Sequence, residues 1–184
     1  MSTVVKRWTY EDLLAMPEDN AIREIFDGEL FVSPSPFLRH QRIVGRLYAA
    51  IFNYLEEHPI GEVFVAPLDT VFSLDNVCDP DVFFVSHERS SILTNKHVHG
   101  SPDFVIEVLS EFNAKNDKVR KLAIYERFDV TEYWIVDPEA NTIRVFRRDG
   151  KALPLVSELI ASAGDVAVTA MFPGLTVDLA ELFR

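Results

Sequence analysis

From His40 to His58 the apolar positions Ile43, Leu47, Ala50, Ile51, Tyr54 and Leu55 recur every three or four residues, the period of a helix with one buried face. Earlier, Thr9 followed three residues later by Asp12 predicts a helix start, with Leu13, Leu14 and Met16 on its apolar side and Pro17 just beyond its end. Two extended runs flank Asp27-Gly28 in REIFDGELFVS, which predicts a hairpin. Residues 61–67 read as a strand that 68–72 continues or pairs with, and 79–85 as another strand opened by Pro80. The polar stretch 86–101 reads as a loop holding a short helix. A buried strand follows at 104–109, then a helix over 113–128 with Val119, Leu122, Ala123 and Glu126 on one face. The runs 133–137 and 142–146 bracket Pro138-Glu139-Ala140-Asn141 and form a second hairpin. A last strand near Ala167-Val168 precedes a turn and a short helix in PGLTVDLAELF. With no repeat and no low-complexity linker, the pattern predicts one α+β domain over residues 1–184, a mixed sheet flanked by helices with a hairpin toward the C-terminus.

Composition narrows the class. The chain has 184 residues, 48% of them apolar, 26% charged, and 14 are Phe, the profile of a globular protein with a sizeable core. No apolar run is long enough to span a bilayer, and the N-terminus lacks the apolar segment of a signal peptide, so the expected compartment is the cytoplasm, with no membrane partner. One cysteine, Cys78, excludes an internal disulfide and a cysteine-based zinc cage. The formal net charge of −11 argues against indiscriminate binding to nucleic acid, but leaves room for a local cationic patch or a carboxylate-rich metal site.

Glu107 stands out because it interrupts the apolar run Phe104-Val105-Ile106-Val108-Leu109. Strand alternation gives it the face of Val105 and Leu109, and a buried carboxylate needs a cation, a metal or hydrogen-bond donors. The plain alternative is a salt bridge to a lysine of the next helix. Asp81, at the mouth of the preceding strand, also reads as a turn residue after Pro80, and Glu24 beside Arg23 as a solvated surface acid. Together the three acids suggest more. Hard divalent cations take one or two carboxylates plus waters and substrate phosphates, and two neighbouring strands can aim their carboxylates at one ion. A nearby lysine can orient the attacking water and balance charge on a phosphate in the transition state. Lys121 shares a helical stripe with Asp117 and Tyr125, Lys118 lies off it, and the plain alternative is an Asp117–Lys121 surface pair worth only ~0.3–0.5 kcal/mol. His40 reads either as a helix-boundary residue or as a group facing the site. His97 and His99 lack a third metal ligand, Asp103 reads as a strand-entry residue, and Cys78 lacks a histidine partner for nucleophilic chemistry.

Pro80-Asp81, Glu107 in a strand and then a helix lysine resemble the pattern of the PD-(D/E)XK nuclease superfamily, and more closely a bacterial branch of restriction endonuclease-like proteins. REIFDGEL, SPSPFLRHQRIVGRL, DPDVFFV, SPDFVIEVLS, the Asp117/Lys121/Tyr125 stripe and EYWIVDPEANTIRVF carry the resemblance, from Tyr10 to about Phe146. It implies a restriction endonuclease-like core, with Asp81 and Glu107 as ligands of Mg²⁺ or Mn²⁺, Glu24 as a further acid near the ion, and His40 at the site. One departure matters: the superfamily lysine two residues after the glutamate is here Leu109, so its role passes to the following helix, best to Lys121. The implied activity is metal-dependent hydrolysis of DNA phosphodiester bonds, with RNA not separable from DNA. The competing expectation is a non-catalytic nucleic-acid-binding or assembly module on the same scaffold. A homodimer is expected from the family and from the symmetry of cutting both strands.

Overall fold

In the computed structural model, which describes residues 6–17, 21–35, 37–110 and 116–184, the chain forms an α+β fold whose strands divide between two mixed sheets and a small third pair. The first elements are α1 (Tyr10–Leu14), β1 (Ile22–Phe26) and β2 (Glu29–Ser33). At the start of α1 the Thr9 side chain accepts from Asp12 N–H while Asp12 accepts from Thr9 N–H, the reciprocal cap that the sequence predicts. Between β1 and β2, Asp27 and Gly28 have φ of 49° and 80°, the two positive values that a two-residue hairpin turn of matching twist requires. Then come α2 (Leu38–Glu57), β3 (Gly61–Val65), β4 (Thr70–Ser73), β5 (Asn76–Cys78), β6 (Val82–Ser86), a 3-10 turn, β7 (Val98–His99) and β8 (Phe104–Val108). The chain closes with α3 (Asn116–Arg127), β9 (Glu132–Asp137), β10 (Thr142–Arg147), β11 (Leu155–Ile160), the short pair β12 (Val166–Ala167) and β13 (Val177–Asp178), and α4 (Leu179–Phe183).

The six-stranded sheet runs β11-β10-β9-β8-β6-β3, antiparallel except for β8 beside β9. One face packs Phe104, Ile106, Val108 and Trp134 against Ile43, Leu47 and Ile51 of α2, with Phe172 and Leu179 of the C-terminal segment closing the layer. The opposite face packs Val105, Tyr133 and Ile135 against Ile124 and Tyr125 of α3, together with Phe26 and Cys78 of the second sheet. That second sheet, β2-β1-β5-β4-β7, is covered by α1 through Tyr10, Ile25, Val71 and Val77. Among the described residues, no helix is long and apolar enough to cross a membrane.

Several local expectations change. Residues 70–73 neither continue nor pair with β3; as β4 they join the other sheet, beside β5 and β7. The polar loop contains the 3-10 turn His87–Ile92 and the two-residue β7. On α3 the buried residues are Lys121, Ile124 and Tyr125, whereas Val119 is 70% exposed and Ala123 is also outside the core, so the helix is turned from the face the apolar pattern indicates. The expected helix residues 113–115, and the side chains of Asp117 and Lys118, lie outside the described residues.

Phe172 ties the C-terminal segment to the sheet through ring contacts with Phe84 and Phe104, and is fully buried. Phe172→Ala is expected to cost about 3–5 kcal/mol of unfolding free energy, measured as a lower urea midpoint at an unchanged slope.

Candidate metal and active site

Strand pairing brings the two principal acids together. β6 and β8 are antiparallel with Val82 opposite Ile106, so one further step in that register sets Asp81 opposite Glu107. Asp81 Oδ2 accepts from the Val108 N–H at 2.7 Å and lies 3.2 Å from His40 Nε2. His40 is in the first turn of α2, where the core residues Ile43 and Val44 one turn on fix the helix, and is itself buried. Its Nδ1 is buried with no hydrogen-bond partner among the described residues. Asp81 thus bridges the end of the six-stranded sheet and the start of α2.

Glu107 faces α3. Its Oε1 accepts from the Tyr125 hydroxyl at 2.5 Å and lies 2.9 Å from Lys121 Nζ. The same ammonium is 2.8 Å from Oε1 of Glu24, which comes from β1 of the other sheet and also accepts from the Asp79 N–H at 3.1 Å. Glu24, Glu107 and Lys121 are each at least nine-tenths buried. Lys121 and Tyr125, four residues apart, reach one carboxylate as the helical stripe predicts. Glu24 is not a solvated acid and Lys121 is buried rather than on the surface, while the side chain of Asp117 lies outside the described residues. Glu107 does meet a helix lysine, so its salt-bridge reading holds, but that lysine is shared with a second glutamate and opens on a cavity.

Glu24, His40, Asp79, Asp81, Glu107 and Lys121 line that cavity. Asp79 has no assigned part in the sequence reading. Its Oδ1 accepts from the Leu68 N–H at 2.7 Å, and burial pushes its carboxyl up to about 6. The sequence signal was its place beside Pro80-Asp81, which gives no sign of which way the side chain turns. Tyr125 was on the predicted stripe, but its hydrogen bond depends on how α3 packs. Burial pushes the Glu107 carboxyl up, Lys121 opposes this, and nearby Asp81 and Glu24 push it further up. For Lys121, burial pulls down while Glu107 and Glu24 more than reverse it, so the ammonium stays protonated.

Three carboxylates therefore crowd one ammonium in a poorly solvated place, and a hard cation relieves that surplus. Among the described residues no group of three or more histidine, cysteine, aspartate or glutamate side chains is arranged as a ready metal cage. The hydrogen bonds and ion pair noted above for Asp81 and Glu107 among the described residues fall on Oδ2 and Oε1. Two carboxylate oxygens next to an open cavity fit a magnesium-type ion, which keeps several waters and substrate oxygens. They do not suit zinc, which favours nitrogen and sulfur. Of the other candidates, His97 and His99 have ring centres 6.0 Å apart, with His97 against Tyr10. Asp103 accepts from Ser86 N–H and pairs with Arg89 at 3.2 Å, a strand-entry role. Cys78 is buried and unbonded to another cysteine, and burial raises its thiol well above the ordinary value.

Residues 10–180 match the model of the Uma2 family, whose description is "Putative restriction endonuclease". No curated protein matches the chain. Among solved structures the chain resembles that of "a putative nuclease belonging to DUF820" from Anabaena variabilis ATCC 29413. The two are 20% identical, the match covers 95% of this chain and 97% of that one, and the TM-score is 0.80. At that identity the likeness speaks for the fold, which is thus the fold of that protein.

Lys121 is the partner shared by buried Glu24 and Glu107, so Lys121→Met is expected to destabilise by about 3–5 kcal/mol near neutral pH. The loss should shrink as pH falls. Without the ammonium the folded-state pKa of Glu107, already raised by burial, rises further above its unfolded value. The folded variant then takes up a proton that the unfolded chain does not, and gains stability as pH drops through the folded pKa. Denaturant titrations of both proteins across acid and neutral pH check the sign.

Proposed function

The chain belongs to the Uma2 family, and from that premise we propose that it is a divalent-cation-dependent endonuclease hydrolysing phosphodiester bonds in DNA. The observation that carries this reading is the meeting of Asp81 and Glu107 across adjacent strands, beside a buried ammonium and an open cavity. Asp81 and Glu107 would hold Mg²⁺, or Mn²⁺ in its place, through their carboxylate oxygens. When bound, such an ion polarises a phosphoryl oxygen and makes water a better nucleophile at neutral pH.

The chain's residues do the rest. Two of the ammonium's contacts go to Glu24 and Glu107, and a lysine has three N–H donors. The third is assigned to the attacking water, with the fixed charge offsetting negative charge that develops on the phosphate. Glu24 holds Lys121 in place and adds to the acidic field. Water oxygen bonds to phosphorus and gives up a proton to solvent as the bond to the leaving sugar oxygen breaks, and that oxygen takes a proton from solvent. A homodimer would present two such sites to the two strands of a duplex.

Nicking of supercoiled plasmid with Mg²⁺ or Mn²⁺ tests the reading. Wild type is expected to cleave, while Asp81→Ala and Lys121→Ala lose on the order of 100-fold or more in rate. Equal cleavage by all three proteins would place the chemistry elsewhere, and a wild type that binds the plasmid without cutting would favour the binding module.

A further inference from the structure

The two carboxylates assigned to the cation are held in the same way from opposite sides. Among the described residues Asp81 uses one oxygen, Oδ2, for both the Val108 N–H and His40 Nε2. Glu107 likewise uses one oxygen, Oε1, for the Tyr125 hydroxyl and for Lys121 Nζ. An ionised carboxylate only accepts, so His40 Nε2 carries the hydrogen in its contact with Asp81. Both donors are fixed by packing. Tyr125 is fully buried, edge-on to Tyr133 and beside Phe72, and His40 is buried at the start of a helix anchored in the core.

We infer that Tyr125 and His40 are positioning residues, each engaging one oxygen of a ligand carboxylate so that the other oxygen, Glu107 Oε2 or Asp81 Oδ1, is presented to the cation. The inference rests on the reading of Asp81 and Glu107 as cation ligands. It moves His40 from a residue facing the reacting groups to one acting through Asp81, and gives Tyr125 a part in the site. Groups that orient metal ligands in this manner contribute to affinity without touching the metal, because a carboxylate free to rotate must be ordered on binding.

The test uses the full chain without nucleic acid, titrated with Mn²⁺ by calorimetry, alongside thermal unfolding with no metal present. Tyr125→Phe keeps the ring and removes only the hydroxyl. It is expected to weaken Mn²⁺ binding about 10-fold or more while retaining a cooperative unfolding transition. At His40 a matched pair of variants isolates the donor. Glutamine can place its amide N–H where Nε2 stands and asparagine cannot, so His40→Gln should bind Mn²⁺ close to wild type and His40→Asn about 10-fold more weakly. Wild-type binding that is lost in Asp81→Asn but unchanged in Tyr125→Phe and His40→Asn would overturn the positioning role and leave the metal site standing. A wild type with no saturable Mn²⁺ binding, or Asp81→Asn binding as well as wild type, would overturn the metal site and this inference with it. Should Tyr125→Phe lose its cooperative transition, the two His40 variants decide: equal affinities overturn the inference, and a gap of the stated size supports it.

Discussion

The ammonium of Lys121 holds three parts of the molecule at one point. It comes from α3, and its two acidic partners come from strands of different sheets, Glu24 on β1 and Glu107 on β8. Hydrophobic packing alone would bring these layers together, since Phe26 and Cys78 already meet Val105 and Ile124 in one cluster. What packing cannot do is fix the sheets to within a hydrogen bond of each other at the cavity. Buried ion pairs are poor sources of net stability, because desolvation consumes most of the Coulombic gain. A core shaped for stability alone would carry apolar side chains at these positions. The ion pairs are better understood as setting geometry and charge at the cavity, at some cost to stability.

That charge has a sign. Around the Lys121 ammonium stand Glu24, Glu107 and Asp81, with Asp79 on the same cavity wall. An acidic cavity in a chain of net charge −11 would repel a phosphodiester, whereas a divalent cation reverses the local field and gives the phosphate a reason to enter. In the proposed reaction the cation and the nucleic acid would therefore enter this site together. Arg39 lines a different cavity with His40 and Leu109, and its guanidinium is engaged by Asn141 at 2.8 Å and lies 3.8 Å from Glu139.

The site was more legible in the sequence than the sheet arrangement, and the reason is physical. Glu107 was visible because a carboxylate inside an apolar run is expensive, and the cost forces a partner. Lys121 and Tyr125 were visible because an interval of four residues sets both on one side of any helix. The division into two sheets was not, because strand period says which face a residue takes and nothing about which strand lies beside it. Thr70–Ser73 reads equally well beside β3 or β5. Strand β11 escaped notice because it lies at a sheet edge with Leu155, Val156 and Ile160 exposed, so burial imposes no clean alternation on it. Val119 misled in the opposite sense. It is apolar but exposed, while the charged Lys121 is buried, because on α3 the site outranks the hydrophobic pattern.

The displaced lysine then acquires a structural logic. In the nuclease pattern that the sequence resembles, the lysine stands two residues beyond the glutamate in the same strand. Here that position is Leu109, which keeps the strand direction by donating its N–H to Val136 and packs its side chain into the apolar layer under α3. A lysine at 109 would reach the cavity from β8 itself. From α3, Lys121 approaches Glu107 from the layer above and can touch Glu24 on the second sheet at the same time. Moving the cation from strand to helix therefore does more than conserve its charge. It draws a third carboxylate into the site, and couples the position of the lysine to the docking of α3 against both sheets.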